Sequence, residues 1–186
     1  KPPGQPITTV SEQDENVIIE WGSAIPQVNA IENVVAQPGG YTFEGYNLYQ
    51  FPRSTSGLSE AVRIATFDLS TDPTVILHEQ FDNNSGQILF IPVQFGTNSG
   101  VQRYFEFDRD YIRDVDRIYN GEEYYLAVTA YTRATVAGYI PATLESSPQV
   151  ITVVPERPFG TDVPTALGDT LAFAHAAKSR LSHSSF

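Results

Sequence analysis

Apolar and polar residues alternate with period 2 along much of this chain, and the clearest case is "NGEEYYLAVTAYT", residues 120–132. Successive side chains of a strand point to opposite faces. One face then reads Tyr124, Leu126, Val128, Ala130, and the other Tyr125, Ala127, Thr129, Tyr131. The first row tapers from an amphipathic ring to small apolar groups, which suits a core-facing strand with its tyrosine at the rim. Asn120-Gly121 is a turn signal, since both residues tolerate positive φ. A tight turn therefore feeds a strand whose inward ring is Tyr124, with Tyr125 outside.

The same period recurs elsewhere. In "NVIIEW" (16–21) Val17, Ile19 and Trp21 share a face, and in "YTFEGYNLYQF" (41–51) Tyr46 and Leu48 oppose Asn47 and Tyr49. Three further β-like runs follow, "AVRIATFDL", "TVILHEQF" and "QILFIPVQF", separated by the turn-rich "STDP" and "DNNSG" and followed by "GTNSG". "VQRYFEFDRDYI" leads toward the 120–132 run, and "SPQVITVVP" (147–155) is a last strand. The proline-rich "KPPGQPITTV" reads as an extended lead-in, and "AIPQVNAIENVVAQPGG" as a long connection. Short strands with this punctuation predict an all-β antiparallel sandwich with no fixed-period repeat. Trp21, Tyr46, Leu48, Tyr124, Leu126 and Val128 should share its core.

The end of the chain changes character. Leu167, Leu171, Ala174, Lys178 and Leu181 recur at helical spacing, against which stand Gly168 and the strand-like "TLAFAH". This divides the chain into a sandwich over 1–155 and an extended or short-helical C-terminal extension over 156–186.

Composition narrows the function. The 186 residues are 41% apolar and 12% aromatic, enough for one well-packed domain. A formal net charge of −11 argues against nucleic acid, which needs a basic footprint, and against anionic lipid. It fits a self-repelling soluble surface, or one that binds calcium. The absence of cysteine removes disulfides, thiolate metal sites and cysteine nucleophiles. No run approaches the roughly 18 apolar residues of a membrane-inserted helix, and no signal peptide is visible. A chain that starts at Lys1 and contains no methionine is expected to be a processed product or a piece of a longer one.

Taken in order, these motifs resemble a fibronectin type III domain. Trp21 in "VIIEW" is similar to that family's early core tryptophan, and Tyr46 with Leu48 to its middle Tyr-x-hydrophobic pair. Tyr124 in "NGEEYYLAVTAY" is similar to its late tyrosine after a tight turn, and "SPQVITVVP" to its closing strand. The resemblance covers most of 7–155 and implies an immunoglobulin-like sandwich. That span exceeds the roughly 100 residues of related sandwiches. The excess lies between Tyr46 and Tyr104, so an inserted hairpin or β subsheet is expected at about residues 58–98. "VQFGTNSG" and "TLESSPQVITVVP" also resemble modules near the end of long secreted bacterial surface proteins, which implies a secreted or cell-surface location.

Candidate chemistry is sparse. Asp108, Asp110, Asp114 and Asp116 cluster in "DRDYIRDVD", and clustered carboxylates are what calcium wants. Arg109, Arg113 and Arg117 interleave with them, which favours an ion-paired loop. "DNNSG" (82–86) has the spacing of half a calcium loop without the downstream glutamate, and reads as a hairpin turn. Asn83-Asn84-Ser85 matches the glycosylation acceptor pattern. His78, His175 and His183 form no known catalytic or metal motif, and Glu122 with Glu123 cannot be assigned to a cleft. Tyr49, Tyr125 and Tyr131 can stack on surface glycans if exposed, or form cross-strand pairs.

The sequence therefore predicts a non-catalytic structural or adhesive module without a resident cofactor. Its partners would be other proteins, copies of itself, or neighbouring domains of a longer chain. A terminal segment ("PITTV" or "TLAFAH") is expected to dock on a neighbouring copy and build a filament. Two alternatives remain open: a carbohydrate-binding accessory module with an exposed aromatic row, and a glycan-processing enzyme with two carboxylates across a cleft.

Overall fold

A computed structural model describes residues 1–33, 40–70, 74–136 and 140–157. Its contacts divide the chain into Lys1–Glu156 and Arg157–Phe186. The helical spacing from Leu167 to Leu181, the strand-like "TLAFAH", His175 and His183 lie outside the described residues.

The described chain is mostly β, in antiparallel sheets. Its first five strands are β1 (Thr9–Gln13), β2 (Asn16–Glu20), β3 (Tyr41–Phe51), β4 (Val62–Asp68) and β5 (Val75–Asp82). The others are β6 (Gln87–Phe95), β7 (Tyr104–Phe107), β8 (Tyr124–Ala134), β9 (Thr143–Glu145) and β10 (Ile151–Val153). One sheet runs β1-β2-β7. A larger one runs β10-β8-β3-β4, with β9 beside β10 along β8, and β5-β6 form a separate hairpin.

Three expectations are corrected. The end of "PITTV", expected to dock on a neighbouring copy, is paired within its own chain, Thr9 opposite Glu20 and Val10 opposite Ile19 where β1 runs beside β2. The connection after Trp21 contains a helix, α1 (Ile25–Glu32). Pro26 lies in its first turn, where a missing N–H costs nothing, and Val28 and Ile31, three residues apart, are its buried face. The insertion between Tyr46 and Tyr104 is a hairpin and is narrower than residues 58–98: β4 extends the larger sheet beside β3, and β5-β6 alone stand apart.

The two main sheets face each other across one core. Val17, Ile19 and Trp21 from the β2 side and Phe107 from β7 meet Tyr46, Leu48, Leu126, Val128 and Val153 from the larger sheet. All six expected core residues are in it, and Tyr124 is buried while Tyr125 is half-buried. Rings meet edge to face in this core, Trp21 with Tyr46 at 5.9 Å and Phe107 with Tyr124 at 5.6 Å between centroids.

A polar latch closes the rim. The Tyr46 hydroxyl donates to Glu32 Oε1 at 2.8 Å, and Arg103 grips the same carboxylate through Nε (2.7 Å) and Nη2 (2.6 Å). This ties α1 to β3 and to the segment entering β7. Burial pushes the Glu32 carboxyl up, but the hydrogen bonds from Arg103 and Tyr46 outweigh it and hold the pKa below its ordinary value. A depressed carboxylate stabilises the fold above its unfolded pKa, about 4.3, and that contribution is lost as pH falls through the folded value. Glu32→Gln is therefore expected to lower stability at neutral pH and to flatten the acid limb of the stability profile below about pH 4. Urea melts across a pH series check this, and parallel acid limbs in the two proteins would count against it.

Candidate functional site

The sequence-predicted residues do not converge. Asp108, Asp114 and Asp116 are exposed, while Asp110 is buried. Arg109 pairs with Asp114 at 2.6 Å and with Asp116 at 3.2 Å, and Arg113 with Glu122 at 2.6 Å and Asp110 at 3.5 Å. Asp110 Oδ1 accepts from Gln50 Nε2 (2.8 Å) and from the backbone N–H groups of Ile112 (3.0 Å) and Arg113 (3.1 Å). These oxygens organise a loop. Among the described residues no three histidine, aspartate or glutamate side chains are placed to hold a metal ion.

The tyrosine row is corrected too. Tyr49 and Tyr131 are buried, so they present no face to a sugar. Both belong to the central strands β3 and β8, whose sheet is covered on its second face as well as its first. Tyr49 packs with Phe51 and Ala127 and donates to Glu145 Oε1 at 2.9 Å, and burial with that carboxylate pushes its hydroxyl pKa up. Tyr131 packs with Ile76 and Ala142. Only Tyr125 of the three reaches the surface, its hydroxyl donating to Glu123 Oε2 at 2.6 Å.

What covers that second face is the base of the β5-β6 hairpin. Asp68, at the end of β4, accepts from the Thr97 N–H (3.1 Å) and hydroxyl (3.0 Å) just after β6. Gly96 is required there, because a Cβ would stand 1.8 Å from Asp68 Oδ2. Buried Gln94 donates to Asn47 Oδ1 of β3 at 3.2 Å and accepts from Arg63 Nη1 at 2.9 Å. Asn47 Nδ2 in turn donates to Glu145 Oε1 at 3.0 Å, and the Thr129 hydroxyl of β8 bonds to the same oxygen. Ile76 lies on Tyr131, and the Ala142 N–H points to His78 Nδ1 at 3.4 Å. The contacts step from β4 over β3 and β8 to residue 142, so the hairpin lies across the strands beneath it.

Beyond those contacts the hairpin carries its apolar side chains into solvent. Strand alternation and register put Leu77, Glu79 and Phe81 on one face with Phe90 and Ile88 opposite, and Val75 with Phe95. That face points away from the sheet: Phe81, Ile88, Phe90 and Phe95 are 59%, 57%, 62% and 53% exposed. The tip is well made. Asp82 accepts from the backbone N–H groups of Asn84 and Ser85 at 3.1 Å each, and Gly86 takes φ +67°. "DNNSG" is thus the turn its composition suggested.

A two-stranded hairpin is marginal alone in water. Here both outer edges are without a paired strand among the described residues, and one face is almost wholly apolar. Such an element can add a strand or bury its face against another polypeptide. Sequence reasoning found the strands but not their exposure. "QILFIPVQF" is apolar on both faces, which ordinarily marks a strand buried on both sides.

Among the described residues no helix is long and apolar enough to cross a membrane. Comparison with protein-family models, curated proteins and solved structures finds no match to this chain.

Proposed function

We propose that this chain is a non-catalytic structural or adhesive module of a secreted or surface protein, and that the β5-β6 hairpin is its contact arm. The observation that carries the reading is the arm's outward face, with four large apolar side chains more than half exposed around one charge, Glu79. Exposed apolar area of this density is the kind of patch that contacts another molecule.

The body that holds the arm reads as fibronectin type III-like. In this reading β1-β2-β7 would be the ABE strands and β10-β8-β3 the CFG strands of an immunoglobulin-like sandwich, with β9 and β10 sharing the place of strand G. The Tyr124 hydroxyl accepts from the Tyr119 backbone N–H at 2.9 Å, a bond of the tyrosine-corner kind at the start of strand F. Trp21 in the core and the order of the sequence motifs support the same reading, and the surface location rests on that resemblance.

The carbohydrate-binding alternative is weaker, because the row it needs is reduced to Tyr125. A photo-crosslinking residue at position 90, with a control at exposed Tyr104, tests the contact arm in the full chain in its native cells. The expected result is a discrete protease-sensitive adduct from position 90 and none from position 104. Retention of the chain on a polysaccharide, lost on Tyr125→Ala, with no adduct from position 90, would replace this reading with the carbohydrate one.

A further inference from the structure

We infer that the occupant of the β5-β6 arm is the C-terminal segment, residues 158–186, of a second copy of this chain. The inference rests on the reading of the hairpin as a contact arm and names what the arm holds.

Three observations point to that segment. The first is where the described fold ends. β10 runs antiparallel to β8 with Ile151 opposite Leu126 and Val153 opposite Tyr124, and the Pro155 carbonyl accepts from the Gly121 N–H. The chain thus leaves the larger sheet past the first residue of β8, heading away from Tyr131. The arm sits on the other half of that strand, over Asn47 and Tyr131. Seven residues of strand separate Tyr124 from Tyr131, roughly 23 Å. Arm and exit therefore lie toward opposite ends of the sheet, the arrangement that lets one molecule's tail meet the next molecule's arm.

The second is charge. The chain carries −11 overall, yet residues 158–186 hold two cations, Lys178 and Arg180, against two anions, Asp162 and Asp169, and so carry no net charge. All of the negative excess is in the body. A body that repels its own copies is met by a tail without net charge, whose two cations stand close together at 178 and 180, and the single charge on the arm's outward face, Glu79, is an anion.

The third is chemical kind. "TLAFAHAAKSRL" (170–181) supplies Leu171 and Phe173 for the Phe81, Ile88 and Phe90 face and, five residues beyond Phe173, Lys178 with Arg180 for Glu79. The length suffices, and one such segment meets one arm. The contact is heterologous, arm of one copy to tail of the next, so it propagates as a ring or an open filament rather than closing as a symmetric dimer.

Sedimentation velocity and electron microscopy on the full chain over a concentration series test this. Wild type is expected to assemble. Phe90→Glu and Phe173→Glu are each expected to weaken assembly by about tenfold or more, with the melting temperature of Phe90→Glu unchanged because Phe90 is exposed. Mixed together, these two variants retain one intact arm and one intact tail, and should give a 1:1 pair and nothing longer. Glu79→Lys alone should weaken assembly, and combining it with Lys178→Glu and Arg180→Glu in one chain should restore it, a result misfolding would not produce. A wild-type chain that stays monomeric at every concentration overturns the inference. Assembly lost on Phe90→Glu but indifferent to Phe173→Glu and to the charge reversals also overturns it, while leaving the contact arm standing. Assembly indifferent to Phe90→Glu removes both.

Discussion

Val128→Asp is expected to abolish the native fold. Val128 is buried on the core face of β8, opposite Leu48 of β3 and in the cluster with Trp21 and Tyr46. An aspartate there has apolar neighbours on its side of the sheet and no cation to pair with. Burying an unpaired charge belongs to the small class of substitutions that cost about 4–5 kcal/mol or more. A domain of this size has total stability of only about 5–15 kcal/mol. Circular dichroism should therefore show a largely unfolded protein, or a melting temperature far below that of the parent. The matched control is Tyr125→Asp, three positions away on the other face and half-buried, which should remain folded. Equal melts for Val128→Asp and the parent would mean that the strand faces are assigned the wrong way round.

The second large effect is expected at Asp110. Its Oδ1 is the common acceptor for Gln50 and two backbone N–H groups, in a buried position with Arg113 alongside. Asp110→Ala strands those donors. A hydrogen bond to a charged group contributes about 1.5–3 kcal/mol, and a buried donor left without a partner costs about 1–3 kcal/mol. A loss of roughly 3 kcal/mol in urea melts is the expected outcome. Asp116→Ala removes an exposed partner of Arg109 and should change stability by no more than about 0.5 kcal/mol. The same series decides the calcium reading. Millimolar calcium should leave the melting temperature of the parent nearly unchanged, whereas a folded-state ligand at 100 times its Kd would add about 2.7 kcal/mol. A calcium-dependent rise lost on Asp114→Asn would show that these carboxylates act as ligands instead.

The expectations that held were local ones. Tyr124 inward and Tyr125 outward follow from period-2 alternation behind an Asn-Gly turn, both properties of adjacent residues. The six-residue core follows from laying three such alternating runs on one side. The ion pairing of the aspartate loop was visible because arginines sit between its carboxylates in the chain itself. α1 was missed because eight residues with two buried positions give too short a period to separate from a loop, although Pro26 marked its first turn. β9 was missed for the same reason, being three residues long.

Tyr49, Tyr131 and the arm divide along another line. Whether Tyr49 and Tyr131 face water depends on what lies over the second face of the larger sheet, and that cover comes from residues far away in sequence: Val150 and Glu145 at Tyr49, Ile76 and Ala142 at Tyr131. Asn47, Thr129 and Glu145 look like surface polar residues in the sequence, yet under the hairpin base they form one bonded network. The arm is the converse case, since β6 is apolar on both faces and yet stands in solvent. Alternation, turns and the neighbouring charges of the aspartate loop are short-range properties, so the sequence by itself determined the strands, their inward faces and that loop's ion pairs. Exposure is set by long-range packing, by which element lies over which, so the tertiary structure alone decided that two candidate tyrosines are sealed and that an apolar hairpin is open.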